Sequence, residues 1–230
     1  MKTILKLTLL VFALAGCSLL PGQTKKPSPP PKSVYSISES TLTSIPTTAA
    51  TANPEDLTSV IAQLPEIPAG FVWKSIPEDS LFVLVPEGWF FKQEYREDVD
   101  LETVYVTKEN IEETGRFSTG LSVFVFKDFK DAEESEQFAQ NIIKKQAGLP
   151  TTKEILKVWD TQSGNFTIHH LQIRAEYPYE TAVNQKKIVY YSTVATDNSV
   201  YFVVFESPEA ISEEIANDYG IILDYVVIYQ

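Results

Sequence analysis

Leu81-Phe82-Val83-Leu84-Val85-Pro86-Glu87-Gly88-Trp89 is the stretch of this 230-residue chain that says most about its fold. Five consecutive apolar residues ended by a turn signal read as a short buried strand. Pro86-Glu87-Gly88 supplies the turn, because proline cannot donate to a sheet ladder and glycine accepts the backbone angles of a tight reversal. Trp89 follows directly, and its ring is expected to fold back onto the sheet and bury a large apolar surface.

Working outward, the same kind of signal recurs. Thr103 to Thr107 and Leu121 to Phe126 are rich in β-branched and aromatic residues and read as strands. The period then changes. Asp131 with Glu134 three residues later resembles a capping box, and Phe138, Ala139, Ile142 and Ile143 give one apolar helical face. Lys144 and Lys145 suit the negative end of that helix, and Gly148 and Pro150 stop it. Further strands are expected at Ile155 to Trp159, Phe166 to Ala175, Lys187 to Thr196 and Val200 to Phe205. Asp197-Asn198 reads as a hairpin turn, so the last two strands should pair antiparallel. Ser207-Pro208 reads as the start of a final helix, with Ser207 as N-cap and Pro208 at the first helical position. Ile211, Ile215, Tyr219 and Ile222 would form its buried stripe.

The N-terminus carries an address. Lys2 and Lys6 precede an apolar run from Leu7 to Ala15, and counted from Ile4 to Gly16 the stretch is thirteen residues. As a helix that is about 20 Å, short of the roughly 30 Å of a bilayer core. A basic start, a short apolar run and small residues before a break read as a secretory signal over 1–16. The break itself, Leu14-Ala15-Gly16-Cys17, resembles the lipobox of bacterial lipoproteins. That resemblance implies cleavage before Cys17 and acylation of its thiol, so membrane lipid becomes a partner and the protein lies outside the cytoplasm, in the envelope or on a lumenal side. Cys17 is the only cysteine of the chain, so it has no internal disulfide partner and no Cys-based zinc site. Residues 18–53 are rich in Ser, Thr and Pro, with Pro27-Ser28-Pro29-Pro30-Pro31 at their centre. They have too few large apolar side chains to offset the entropy of ordering them. A helical turn or two is expected over Pro54 to Leu64. The expected organisation is therefore a signal over 1–16, a lipidated Cys17 with its tether over 17–66, and a folded domain over 67–230.

Charge separates these parts. From Pro54 onward there are 14 Lys+Arg against 30 Asp+Glu, a net charge of −16, while residues 18–53 carry three Lys and one Glu. An acidic domain lacks the clustered Lys/Arg that nucleic acid requires. No nucleic-acid partner is expected, and the domain should stand away from anionic lipid headgroups.

The order of elements and several landmarks resemble the PsbP/Mog1 family. Phe82-Val83-Leu84-Val85-Pro86-Glu87-Gly88-Trp89 is similar to the opening of that fold, and Gly120-Leu121-Ser122-Val123 looks like its next core strand. Gly164-Asn165-Phe166 and Tyr201-Phe202-Val203-Val204-Phe205-Glu206-Ser207-Pro208-Glu209 are similar to its later landmarks. The resemblance runs from about Ser75 to the C-terminus. It implies an α+β fold in which a central antiparallel sheet is flanked by helices, an α/β/α sandwich. It also implies binding in place of catalysis. Members include extrinsic subunits on the lumenal side of photosystem II, bacterial lipoproteins, and Mog1, which binds a nuclear GTPase. The chain departs from the photosynthetic members at its end, Val226-Val227-Ile228-Tyr229-Gln230, and in lacking an evident lysine-rich contact surface.

Residues able to carry chemistry are few. Asp98, Asp100, Glu102 and Glu109 fall at positions 1, 3, 5 and 12 of an EF-hand loop, but Thr103 stands where the sharp turn needs glycine and Val104-Tyr105-Val106 alternates like a strand. A looser Ca²⁺ site at Asp98, Asp100 and Glu102 is the metal reading that remains; otherwise no cofactor is expected. His169 and His170 are adjacent on an expected strand and point to opposite faces. One should be packed and the other exposed, with zinc bound by one histidine and a carboxylate as the minor reading. There is no G-x-S-x-G, P-loop, H-E-x-x-H or G-x-G-x-x-G, and acidic pairs such as Glu112/Glu113 and Glu213/Glu214 read as surface charge. Tyr177, Tyr179, Tyr190, Tyr191, Tyr225 and Tyr229 gather in the second half, where any that share an exposed face would anchor a protein partner. The expectation is a membrane-anchored, non-enzymatic binding or assembly module for a membrane-associated protein complex. The alternatives are an extrinsic photosystem II-type subunit with a Ca²⁺ role, and an envelope hydrolase.

Overall fold

The computed structural model describes Leu64 and residues 66–163, 165–178, 186–224 and 226–228. The signal stretch, Cys17, the tether over 17–66 except Leu64 and Glu66, and the helical turns expected over Pro54 to Leu64 except their last residue lie outside the described residues. Among the described residues ten strands form two sheets. β1 (Phe71–Ile76), β2 (Leu81–Pro86) and β10 (Val227–Ile228) make a small sheet of order β1-β2-β10. β3 (Phe90–Arg96), β4 (Leu101–Thr107), β5 (Gly120–Phe126), β6 (Thr152–Ser163), β7 (Phe166–Glu176), β8 (Lys186–Ala195) and β9 (Val200–Pro208) make a large one. Its order is β3-β4-β5-β9-β8-β7-β6. Every pairing in both sheets is antiparallel. The α-helices among the described residues are α1 (Ile111–Thr114), α2 (Ala132–Ala147) and α3 (Ala216–Asp224). The architecture is α+β with a central antiparallel sheet, as expected.

The opening run is buried along its whole length in β2. Leu81, Val83 and Val85 point into the main core, while Phe82 packs with Val227, Trp73 and Leu64 on the other side. Gly88 takes φ +83° in the turn that Trp89 N–H closes onto the Pro86 carbonyl at 3.1 Å. Trp89 is partly buried against the main core, as its position after the turn predicts. The continuous apolar run did not say which sheet it joins. It lies in the small sheet, a layer that packs over one face of the large one. The layer also brings in two strands not anticipated, β1 and the two-residue β10, and the large sheet gains the unanticipated edge strand β3.

The large sheet therefore has two cores. On one face, Val104, Val106, Leu121, Val123, Val203 and Phe205 meet the small sheet and α3. On the other, Leu171, Ile173, Val189 and Phe202 meet Ala139, Ile142 and Ile143 of α2. The helical reading of α2 holds in detail. The Asp131 side chain accepts the Glu134 N–H at 3.0 Å, Glu134 reaches back to the Lys130 N–H at 2.9 Å, and Gly148 stands at the C-cap.

The expected helix start at Ser207-Pro208 is corrected. Both residues end β9, opposite Ile188 and Lys187 of β8. Ser207 is buried with its strand, and Pro208 has the extended angles φ −54° and ψ 135°. A 3-10 turn over Glu209–Ile211 follows, and α3 begins only at Ala216. The local cap chemistry of Ser-Pro-Glu loses here to the pairing offered by β8. Ile215 and Ile222 are buried as the stripe required. Among the described residues no helix is long and apolar enough to cross a membrane.

Candidate functional site

The carboxylates singled out for Ca²⁺ each have separate partners. Asp98 lies in the turn between β3 and β4 and pairs with the Arg96 guanidinium at 2.9 Å. Asp100, at φ +51°, accepts the Tyr95 hydroxyl proton at 2.9 Å. Glu102 is already inside β4, opposite Tyr95 on one side and Val125 on the other. Glu109 is held by the Ser118 hydroxyl and the Thr119 N–H. The four carboxylates thus meet different partners. Among the described residues no group of three or more His, Cys, Asp or Glu side chains is arranged to hold a metal ion.

Glu102 belongs to a different arrangement, at the end where the two sheets meet. Pro77–Asp79 is a 3-10 turn between β1 and β2, and it presses the Asp79 side chain into the interior with none of it exposed. Lys127, just beyond β5, brings its ammonium to 2.5 Å from Asp79 Oδ1 and also donates to the Glu78 carbonyl at 3.1 Å. The Tyr201 hydroxyl donates to the Asp79 carbonyl at 2.7 Å. Asp79 Oδ2 and Glu102 Oε1 are buried without a hydrogen-bond partner among the described residues. Burial raises the Glu102 pKa, with the negative charges of Asp79 and Glu78 acting in the same direction against a Gln93 hydrogen bond and Lys127.

An open groove of about 800 Å³ runs over this cluster. Glu78, Asp79, Lys127, Lys130, Asp131 and Asp197 supply its charges, and Thr196, Asn198 and Ser199 of the β8–β9 loop its neutral polar wall. Sequence reasoning missed it. Its residues come from three separated loops, and each looked like an ordinary turn or helix start.

The histidines point to opposite faces as expected, but both are engaged. His169, 9% exposed, faces α2: its Nε2 is 2.6 Å from Glu136 Oε1 and its Nδ1 is 2.9 Å from Asp160 Oδ1. Burial pulls its pKa down, yet the hydrogen bonds to Asp160 and Glu136 outweigh that and the net shift is upward. His170 lies half-buried on the other face, its ring stacked on Trp159 at 4.8 Å. Its Nδ1 meets the Ser192 hydroxyl and its Nε2 the Thr161 hydroxyl, both at 2.8 Å. Burial, with the charges of His169 and Lys157 adding to it against Asp160, lowers its pKa to about 4.

Ser192 and His170 have the separation of a nucleophile and its base, but the rest of that chemistry is absent from the pair. No carboxylate orients the ring, because Thr161 holds its second nitrogen, and a base with a pKa near 4 drives proton abstraction poorly. The carboxylate of Asp160 serves the other histidine.

The described tyrosines of the second half are mostly packed. Tyr190 stacks on Tyr219 at 4.7 Å and is held between that ring's hydroxyl and the Gln172 amide. Tyr191, on the opposite face, is buried against Phe202. Burial raises the pKa of both. The Tyr177 ring lies under the Lys187 ammonium at 5.0 Å. Tyr179, Tyr225 and Tyr229 lie outside the described residues. The tyrosine that does stand out is Tyr95, 55% exposed on edge strand β3.

No protein-family model matches this chain, and no curated protein matches it. Among solved structures it is similar to cyanobacterial PsbP (CyanoP) from Synechocystis sp. PCC 6803, with 12% identity and a TM-score of 0.45. That likeness covers 71% of this chain and 95% of that one. It is also similar to the Saccharomyces cerevisiae Ran-binding protein Mog1p, with 11% identity and a TM-score of 0.38 over 69% of this chain and 95% of that one. A structure from Bacteroides thetaiotaomicron VPI-5482 shows 10% identity and a TM-score of 0.42, covering 66% of this chain and 46% of that one. At such identities no residue role passes from those proteins to this chain.

Proposed function

We propose that this chain is an extracytoplasmic lipoprotein, anchored through acylated Cys17 and a tether over 17–66, whose domain over 67–230 is a non-enzymatic binding or assembly module for a membrane-associated protein. The observation that carries the binding reading is the polar groove above Asp79. It is wide and open, and it presents both ammonium and carboxylate groups. Such a surface suits a protein contact built on hydrogen bonds and charge complementarity. The anchor reading rests on Leu14-Ala15-Gly16-Cys17. One acyl chain holds a protein only marginally, so stable attachment requires a second chain at the same cysteine.

The test is capture of membrane proteins by the wild-type chain, by Cys17→Ala, and by a groove variant carrying Lys130→Glu and Asp197→Lys. The expected result is one prominent protein retained by the wild type, retained on Cys17→Ala after solubilisation, and lost from the groove variant. Cys17→Ala should in addition leave the membrane fraction. A wild-type chain that retains nothing, but hydrolyses a substrate in a broad screen, would overturn the reading.

A further inference from the structure

His169 sits where three elements meet, and its surroundings dictate its protonation. From α2 it is faced by Glu136, whose Oε1 also accepts from the Gln140 amide at 2.9 Å. From β6 it is faced by Asp160. On β8 the residue opposite is the uncharged Thr193, whose hydroxyl donates to the Ala139 carbonyl of α2 at 3.3 Å. The neighbour on its own strand, His170, points to the other face. The ring therefore bonds one carboxylate through each nitrogen. An ionised carboxylate only accepts, and a neutral imidazole has only one N–H. Both contacts form together only when both nitrogens carry protons.

We infer that His169 is a charge-gated clasp: the doubly protonated ring ties α2 to edge strand β6, and loss of one proton to solvent breaks one of the two ties and loosens the seam between them. In the neutral ring one nitrogen turns a lone pair toward a carboxylate oxygen less than 3 Å away, and that contact becomes repulsive. The seam is suited to such a role. The first half of α2 is fixed to the sheet by a few polar ties, Ser135 to the Thr196 carbonyl, Glu136 to His169 and Thr193 to the Ala139 carbonyl. Beneath the helix lie Leu171 and Ile173, and beside it on β6 Val158 is 60% exposed. Opening the seam would join that exposed valine to the apolar surface under α2. The two carboxylates cannot instead share a metal with this ring, because they bond its opposite nitrogens.

The clasp makes the opening of α2 depend on pH in one direction. A free histidine has a pKa of about 6.5, and the clasped ring lies above that. Between the two values the closed state holds one proton more than the open state. The opening constant then rises by as much as about tenfold per pH unit, and levels off once the clasped ring has also lost its proton.

Two measurements on the full chain test this. Ring ¹⁵N shifts should show both His169 nitrogens protonated at pH 6, and the titration should move downward in Glu136→Gln and in Asp160→Asn. Hydrogen-exchange protection of the α2 amides, corrected for intrinsic rate, should fall from pH 6.5 upward in the wild type and stay flat in His169→Gln. A neutral ring at pH 6 overturns the inference, as does α2 protection that is independent of pH or that falls equally in His169→Gln. If His169→Gln does not fold, the ring titration of the wild type and of Glu136→Gln decides alone.

Discussion

His169 and His170 are consecutive in the chain and opposite in their response to acid. His170 is stacked on Trp159 and bonded only to the neutral hydroxyls of Thr161 and Ser192, so its environment favours the uncharged ring. Its folded pKa of about 4 lies below the unfolded value of about 6.5. Between those values the unfolded chain binds the extra proton, so the stability this residue contributes is complete above about pH 6.5 and is lost as pH falls toward 4. The difference corresponds to about 3 kcal/mol. His170→Gln should accordingly lower the Tm at pH 7, through lost stacking on Trp159, yet show a shallower fall in Tm between pH 6.5 and 4 than the wild type. Melting curves at half-unit pH steps would show this, and parallel curves for the two proteins would contradict it. The strand period placed the two rings on opposite faces from sequence. It did not show that both would be engaged, because Glu136 and Ser192 are brought to them by a helix 33 residues upstream and a strand 22 residues downstream.

At the scale of elements, register depends on a few close approaches. Gly120 starts β5 opposite Thr107 of β4. A Cβ placed there would lie 2.6 Å from the Val106 carbonyl oxygen and 2.9 Å from Thr107 Cα. Both are backbone atoms of a central ladder, so neither can rotate away. Gly120→Ala should force β4 and β5 apart at this end and destabilise the fold by about 1–3 kcal/mol. By contrast Gly220→Ala, inside α3 with open space around the added methyl, should stabilise by up to about 1 kcal/mol. Urea unfolding of the pair measures both. A neutral Gly120→Ala would mean that the two strands are not held as closely as described. Local chemistry made α2 legible to within a residue at each end, since its caps and its stripe lie within its own sequence. The same reasoning failed at Ser207-Pro208, where a helix start in composition became a strand end through pairing with Ile188 and Lys187. It also missed β1, β3 and β10. β10 is only two residues long and pairs with the distant β2, while β1 and β3 present mixed exposed surfaces with no clean alternation to read.

For the whole molecule the decisive feature is that the small sheet is fastened to the large one at one end by charge. Most of the joint is apolar: Leu81, Val83 and Val85 of β2 press onto the valines of β4 and β5. At the groove end Asp79 replaces an apolar residue, fully buried, with the Lys127 ammonium at 2.5 Å and the Tyr201 hydroxyl on its carbonyl. Lys127 is 40% exposed along its side chain and so gives up little hydration, whereas Asp79 gives up nearly all of its own. Removing the lysine would therefore leave a buried carboxylate with nothing to offset its desolvation. Breaking a buried pair from one side costs about 3–5 kcal/mol, and the exposed ammonium places Lys127→Met toward the lower figure. Replacing both partners removes the orphaned charge as well as the attraction. Lys127→Met with Asp79→Leu should thus recover most of the loss, while Asp79→Leu alone, which frees only a partly solvated ammonium, should cost less than Lys127→Met. Stabilities of the wild type, the two single variants and the double variant, taken from urea unfolding at pH 7, test that order. Equal losses in the two single variants, or losses that simply add in the double, would show that the sheets are joined by packing alone and that the charges over the groove are independent of one another.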